Sequence, residues 1–101
     1  MRNVPALFSL DGQVAIVTGA GKGIGRASAL ALAQAGADVA LAARTMSDIE
    51  AVAAEVRALG RRAITVPCDV SDEAALDALV ERTVAELGKI TILVNNAGGT
   101  G

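Results

Sequence analysis

Apolar residues gather into four short runs along the chain, and none of the runs alternates cleanly with polar residues. They are residues 13–18 (QVAIVT), residues 38–43 (DVALAA), residues 63–66 within RAITVPCDV, ended by Pro67, and residues 90–96 (ITILVNN). Runs apolar on both faces predict strands of a parallel sheet covered on both sides. Between the runs, apolar positions recur every three or four residues. The first set is Ile24, Ala27, Ala31 and Ala35. The second is Ile49, Val52, Ala53, Val56 and Leu59. The third is Leu76, Leu79, Val80, Thr83 and Leu87. Each set predicts a helix, and each is followed by a glycine (Gly36, Gly60, Gly88) suited to the left-handed turn that ends one. The second helix has two competing starts, a capping box at Ser47 to Glu50 and Thr45 in TMSD. The third begins near Ser71, with Asp72 and Glu73 in its first turn, where the helix dipole favours acids.

Strand and helix thus alternate, from strand to strand. Crossovers of this length imply parallel strands and right-handed connections. The expected fold is α/β, a Rossmann-like doubly wound parallel sheet with strand order 3-2-1-4, stopping after the fourth strand. Residues 1–10, with one charge and a broken apolar patch, read as a flexible lead-in rather than a signal peptide. Residues 11–101 are expected to form the N-terminal part of a single Rossmann-like domain.

The first strand-to-helix turn carries the densest signal. In VTGAGKGIGRA, Gly19, Gly21, Gly23 and Gly25 alternate. A GxGxxG pattern from Gly19 needs glycine where Ile24 stands, and a Walker A loop needs Ser or Thr after Lys22, where Gly23 stands. What remains is TGxxxGxG, from Thr18 to Gly25. At a helix start, unpaired N–H groups and the positive end of the dipole suit a phosphate, and bare backbone lets it approach. The other reading is a tight corner. At the end of the second strand no carboxylate stands at 42–45, and Asp48 falls in the start of the next helix. Arg44 presents a cationic fork suited to a ribose 2′-phosphate, and Lys22 could reach the same group. The other reading is two solvated cations. Asp69, after the third strand, could accept from an adenine amino group or cap the next helix. Asn95, Asn96, Ala97 and Gly98 end the fourth strand beside the first, facing the crevice where strand order reverses, or form a polar strand-end turn.

Composition narrows the chemistry. The chain has 101 residues, net charge −2, no His, Tyr or Trp, one Phe and one Cys. This gives no electrostatic case for nucleic acid or an anionic membrane. No apolar run approaches the ~18 to 20 residues of a spanning helix. Cys68 excludes an internal disulfide and reads as a small buried hydrophobe of a cytosolic, cytoplasmic protein. Without His, nucleophiles that depend on it are excluded, and with a single Cys as well no metal site is expected.

Together, TGAGKGIG, the Asp69-Val70 pair and NNAG, in this order and spacing, resemble the short-chain dehydrogenase/reductase family from about Leu10 onward. The front half is reminiscent of 3-oxoacyl-[acyl-carrier-protein] reductases and bacterial hydroxysteroid or sugar dehydrogenases. The resemblance implies an NADP(H)-dependent oxidoreductase, with NAD less favoured, acting on a carbonyl or secondary alcohol. Gly19, Gly21, Lys22, Gly23, Ile24 and Gly25 would line the pyrophosphate and adenosine ribose. Arg44 would mark the NADP preference, and Asp69 and Val70 would meet adenine. Asn95, Asn96, Ala97 and Gly98 would support the central sheet and the nicotinamide ribose. A homo-oligomer, a tetramer in many members, is also implied.

The family's catalytic Ser and YxxxK pair follow NNAG by many residues and have no counterpart here. The chain is therefore expected to be the cofactor-binding N-terminal part of a longer enzyme, inactive alone and without catalytic residues of its own. The alternative is a non-catalytic nucleotide-binding or regulatory domain. A receiver domain is discounted, because Thr18-Gly19 stands where an acidic cluster is required.

Overall fold

The computed structural model describes residues 9–96. The elements run β1 (Val14–Thr18), α1 (Gly23–Ala35), β2 (Asp38–Ala43), α2 (Met46–Ala58), β3 (Ala63–Pro67), α3 (Glu73–Leu87) and β4 (Ile92–Val94). The strands form one parallel sheet in the order β3-β2-β1-β4, as the alternation of runs and helices predicts. Val14 sits beside Asp38 and Thr18 beside Ala42, while Ala15 to Val17 pair with Ile92 to Val94.

Strands β1, β2 and β3 serve two cores, whereas β4 is covered on one face only, with Ile92 and Val94 packed partly against one core and Leu93 exposed, so the expected cover on both sides does not extend to it. Ala15, Val17, Val39 and Leu41 face α1 and α2, packing with Ala29, Ala33, Val52 and Val56. Val14, Ile16, Ala40 and Ala42 face the other way, with Ile64, Val66 and Cys68, against Leu79 and Leu87 of α3. Successive side chains point to opposite faces of a strand. A strand covered on both sides therefore has no polar positions to give away its period.

The second helix buries the predicted stripe of Ile49, Val52, Ala53 and Val56. The first does not. The stripe through Ile24, Ala27, Ala31 and Ala35 is not the buried one: Ile24, Ala27 and Ala31 are exposed, and the residues against the sheet are Gly25, Ala29 and Ala33. GIGRASALALAQA is apolar nearly all round, so hydrophobicity does not select a face. Size does, because the smallest residues allow the closest approach to the strands. In α3, Leu79, Thr83 and Leu87 are buried, whereas Val80 and Val84 are exposed.

The helix ends follow the glycine signals: Gly36, Gly60 and Gly88 all have positive φ. Of the two competing starts of α2, Thr45 rather than Ser47 is the N-cap, and its side chain makes no capping bond. Asp72, not Ser71, caps α3, accepting from the N–H groups of Ala74 and Ala75. At the amino edge of the sheet, Arg62, just before β3, is bonded to β2 and α3. It donates to Asp38 Oδ2 at 2.9 Å and to the carbonyls of Glu86 and Leu87. Leu10 is tied down by its N–H to the Ala35 carbonyl at 2.8 Å. Residues 1–8 of the expected lead-in lie outside the described residues.

Ala33 is 1 % exposed in the α1–sheet contact. Ala33→Leu in the complete protein is expected to destabilise it by about 1–3 kcal/mol through overpacking. Ala31→Leu, on the exposed face, should stay within about 0.5 kcal/mol. Urea unfolding midpoints check both, and equal effects would contradict the assigned face.

Candidate functional site

The carboxyl ends of the four strands carry the polar chemistry. At the end of β1 the Thr18 hydroxyl donates to Asn95 Oδ1 at 3.0 Å and accepts the Asn96 N–H at 2.9 Å. This ties the first strand to the fourth at the point where strand order reverses. The chain then turns through Gly19, with φ 60°, and the Ala20 N–H donates to the Ala42 carbonyl at 3.2 Å. The turn is thereby held over β2.

Two of the glycines are required by close approach. A Cβ on Gly21 would lie 2.6 Å from Asp48 Cβ, so the turn rests directly on the first turn of α2. A Cβ on Gly25 would overlap the Gly19 carbonyl and come within 2.9 Å of Asn96 Nδ2. Helix α1 can start where it does only because that position is bare.

Lys22 is the N-cap residue of α1, makes no side-chain cap bond, and no acid follows it in the first turn. In α3, Asp72 and Glu73 supply both a cap and an acid. The positive end of α1 thus has neither a side-chain cap nor an acid in its first turn, whereas that of α3 has both.

In front of this turn lies a cleft of ≈ 900 Å³. Its walls bring together Gly19, Gly21, Lys22, Gly23, Ile24, Arg44, Asp69, Val70 and Asn96. Thr45, Asp48, Cys68 and Ser71 also line it. Ile24 stands at its mouth, 74 % exposed. Gly25 lies behind, buried. Asn95 opens instead onto a smaller groove of ≈ 310 Å³ on the α3 side, between Thr18, Leu79 and Leu93. Ala97 and Gly98 lie outside the described residues. Among the described residues no group of His, Cys, Asp and Glu could hold a metal, and no helix is long and apolar enough to cross a membrane.

Charge in the cleft is balanced. Lys22 Nζ lies 3.6 Å from Asp48 Oδ2, and Arg44 lies near enough to Asp69 to favour its ionised form. Asp69 does not cap α3. Its Oδ1 accepts both the Ser71 hydroxyl, at 2.7 Å, and the Ser71 N–H, at 2.9 Å. These two bonds, hydroxyl first, hold its carboxyl below the ordinary carboxylate range, with the Arg44 charge adding to them. Burial pushes the Cys68 thiol up, and the Asp69 and Asp72 carboxylates push the same way. Both effects favour the protonated thiol over the reactive thiolate.

A family model described as short chain dehydrogenase matches residues 13–101. The chain belongs to the short-chain dehydrogenase family. An uncharacterized oxidoreductase of Mycobacterium tuberculosis is 51 % identical over 94 residues, covering 93 % of this chain and 36 % of that protein. The 7α-hydroxysteroid dehydrogenase of Escherichia coli is 47 % identical over 97 residues, covering 91 % of this chain and 36 % of that protein. A solved 7α-hydroxysteroid dehydrogenase, complexed with NADH and 7-oxo glycochenodeoxycholic acid, superposes with TM-score 0.89 at 44 % identity, covering 93 % of this chain and 37 % of that one. This short-chain dehydrogenase sequence thus spans a little over a third of the length of such relatives.

Thr45, Asp48, Cys68 and Ser71 enter the cleft without having been expected there. Only Ser71 had a readable signal, an Asp-x-Ser spacing that favours a turn closed by the Asp side chain. Ser71→Ala is expected to raise the Asp69 pKa towards the ordinary value. Because the folded value is depressed, these bonds stabilise the fold above the ordinary carboxylate range and are lost as pH falls through the depressed value. Carboxyl carbon NMR titration reads the shift, and an unchanged midpoint would contradict the assigned bonds.

Proposed function

We propose that this segment binds a nicotinamide dinucleotide, with NADP(H) preferred over NAD(H), and that the complete protein is an oxidoreductase of the short-chain type. The observation that carries the reading is the uncapped start of α1, opening at the strand-order reversal into a cleft with a cation at the end of β2. The fit is chemical as well as spatial. Gly21 and Gly25 leave backbone bare where a side chain would close the turn. The N–H groups of the first turn of α1 would receive the diphosphate. Arg44, with Lys22 beside it, would take the 2′-phosphate through charge-assisted bonds. Asp69, held ionised by Ser71, would accept from the adenine amino group, with Val70 against the ring. Asn96, fixed by its N–H to Thr18, would hold the nicotinamide end together with Ala97 and Gly98.

When bound, the nicotinamide supplies the hydride exchanged with a carbonyl or secondary-alcohol carbon of a small-molecule substrate. The residues of this segment bind and orient the dinucleotide, and proton transfer falls to residues beyond them. A homo-oligomer in the cytoplasm is the setting that suits this reading. The solved 7α-hydroxysteroid dehydrogenase holds NADH. The preference proposed for this chain rests on its own residues, Arg44 at the end of β2 and no carboxylate at 42–45.

Calorimetric titration of the complete protein with NADPH and NADH tests both parts. Arg44→Ala should weaken NADPH by roughly 1.5–3 kcal/mol, about ten- to 150-fold, and NADH far less. Equal losses would contradict the NADP preference. Absence of nucleotide binding in the unsubstituted protein would contradict the whole reading.

A further inference from the structure

We propose that Asp48 is a specificity-determining residue that restrains the preference for the 2′-phosphorylated cofactor by holding Lys22. This deepens the function proposed above and rests on it. In the sequence, Asp48 is the third residue of a helix, an ordinary place for an acid. In the structure its Oδ2 lies 3.6 Å from Lys22 Nζ inside the cleft wall.

The two partners are unequal. The Lys22 side chain is 83 % exposed on its glycine turn, while that of Asp48 is 31 % exposed. Gly21 explains the difference: the glycine backbone is packed against Asp48 Cβ, with no room for a Cβ of its own. The carboxylate is therefore anchored by helix α2 on one side and by the turn on the other, and the lysine comes to it.

Two consequences follow for a ligand carrying a phosphate near Arg44. Lys22 must be drawn away from a counter-ion already in place. The Asp48 carboxylate also stays in the cleft as a fixed negative charge, which a phosphate dianion meets and a ribose hydroxyl does not. Counted formally, Lys22 and Arg44 are matched by Asp48 and Asp69, so the walls carry no net charge. The cleft should discriminate between the two cofactors less than its two cations suggest.

The test is calorimetric titration of the complete protein with NADPH and NADH at low salt. Asp48→Asn should tighten NADPH about three- to tenfold and raise the NADPH-to-NADH selectivity ratio at least about threefold. Asp48→Ser should move the ratio the same way, which covers a local folding defect in either variant. Lys22→Ala should cost less than about twofold in NADPH affinity when Asp48 is present, and more than about threefold in the Asp48→Asn background. A selectivity ratio that stays level or falls in both Asp48 variants would overturn the inference. So would an equal cost of Lys22→Ala in the two backgrounds. These results would leave the proposed function standing if the unsubstituted protein binds both nucleotides. If it binds neither, the proposed function fails and the inference with it.

Discussion

The distance between helix α1 and the end of strand β1 governs this molecule. Gly25 has its α-carbon where any side chain would overlap the Gly19 carbonyl and press on Asn96. That contact sets the helix axis, and Gly25, Ala29 and Ala33 continue it along the sheet as a face of minimal size. A larger residue on this face would lift the helix and widen the turn. The N–H groups at the start of α1 would then no longer converge on one place. Packing and site geometry are thus the same constraint seen from two ends of a helix.

The rest of the fold separates support from chemistry. Strands β1 and β2 are buried on both faces by aliphatic side chains, Leu93 of β4 is exposed, and the amino edge of the sheet is joined by Arg62 to Asp38 and to the end of α3. The polar residues that line the cleft collect at the carboxyl edge. There Thr18 couples β1 to β4 through Asn95 and Asn96. The reversal of strand order opens a crevice between the elements that leave in opposite directions, the usual place for a ligand in such sheets. Within it, anion-seeking groups (the α1 start, Arg44, Lys22) face acceptors (Asp48, Asp69). That mixture suits a ligand with phosphates at one point and a base and sugar at others.

Much of this is legible in the chain, for identifiable reasons. The strands declare themselves because parallel sheets demand apolar runs, and α2 because Ile49, Val52 and Val56 contrast with the charged residues between them. The glycines, Arg44, Asp69 and Asn96 are readable because each follows a strand, and strand ends meet at one edge. The buried face of α1 is not readable from hydrophobicity, since both faces are apolar and only size separates them. Asp48 is hidden for a different reason. Sequence places it at a helix start, and the packing of α2 against Gly21 brings it into the cleft. The start of α3 shifts by one residue because neighbouring polar residues compete: Asp72 caps the helix, and Ser71 is engaged by Asp69 instead.

The central claim is that the backbone at the opening of α1 receives a diphosphate. A crystal structure of the complete protein with NADPH tests it most directly. The account predicts diphosphate oxygens within hydrogen-bonding distance of the N–H groups between Lys22 and Gly25. A nucleotide seated elsewhere, with that turn contacting only solvent, would contradict it.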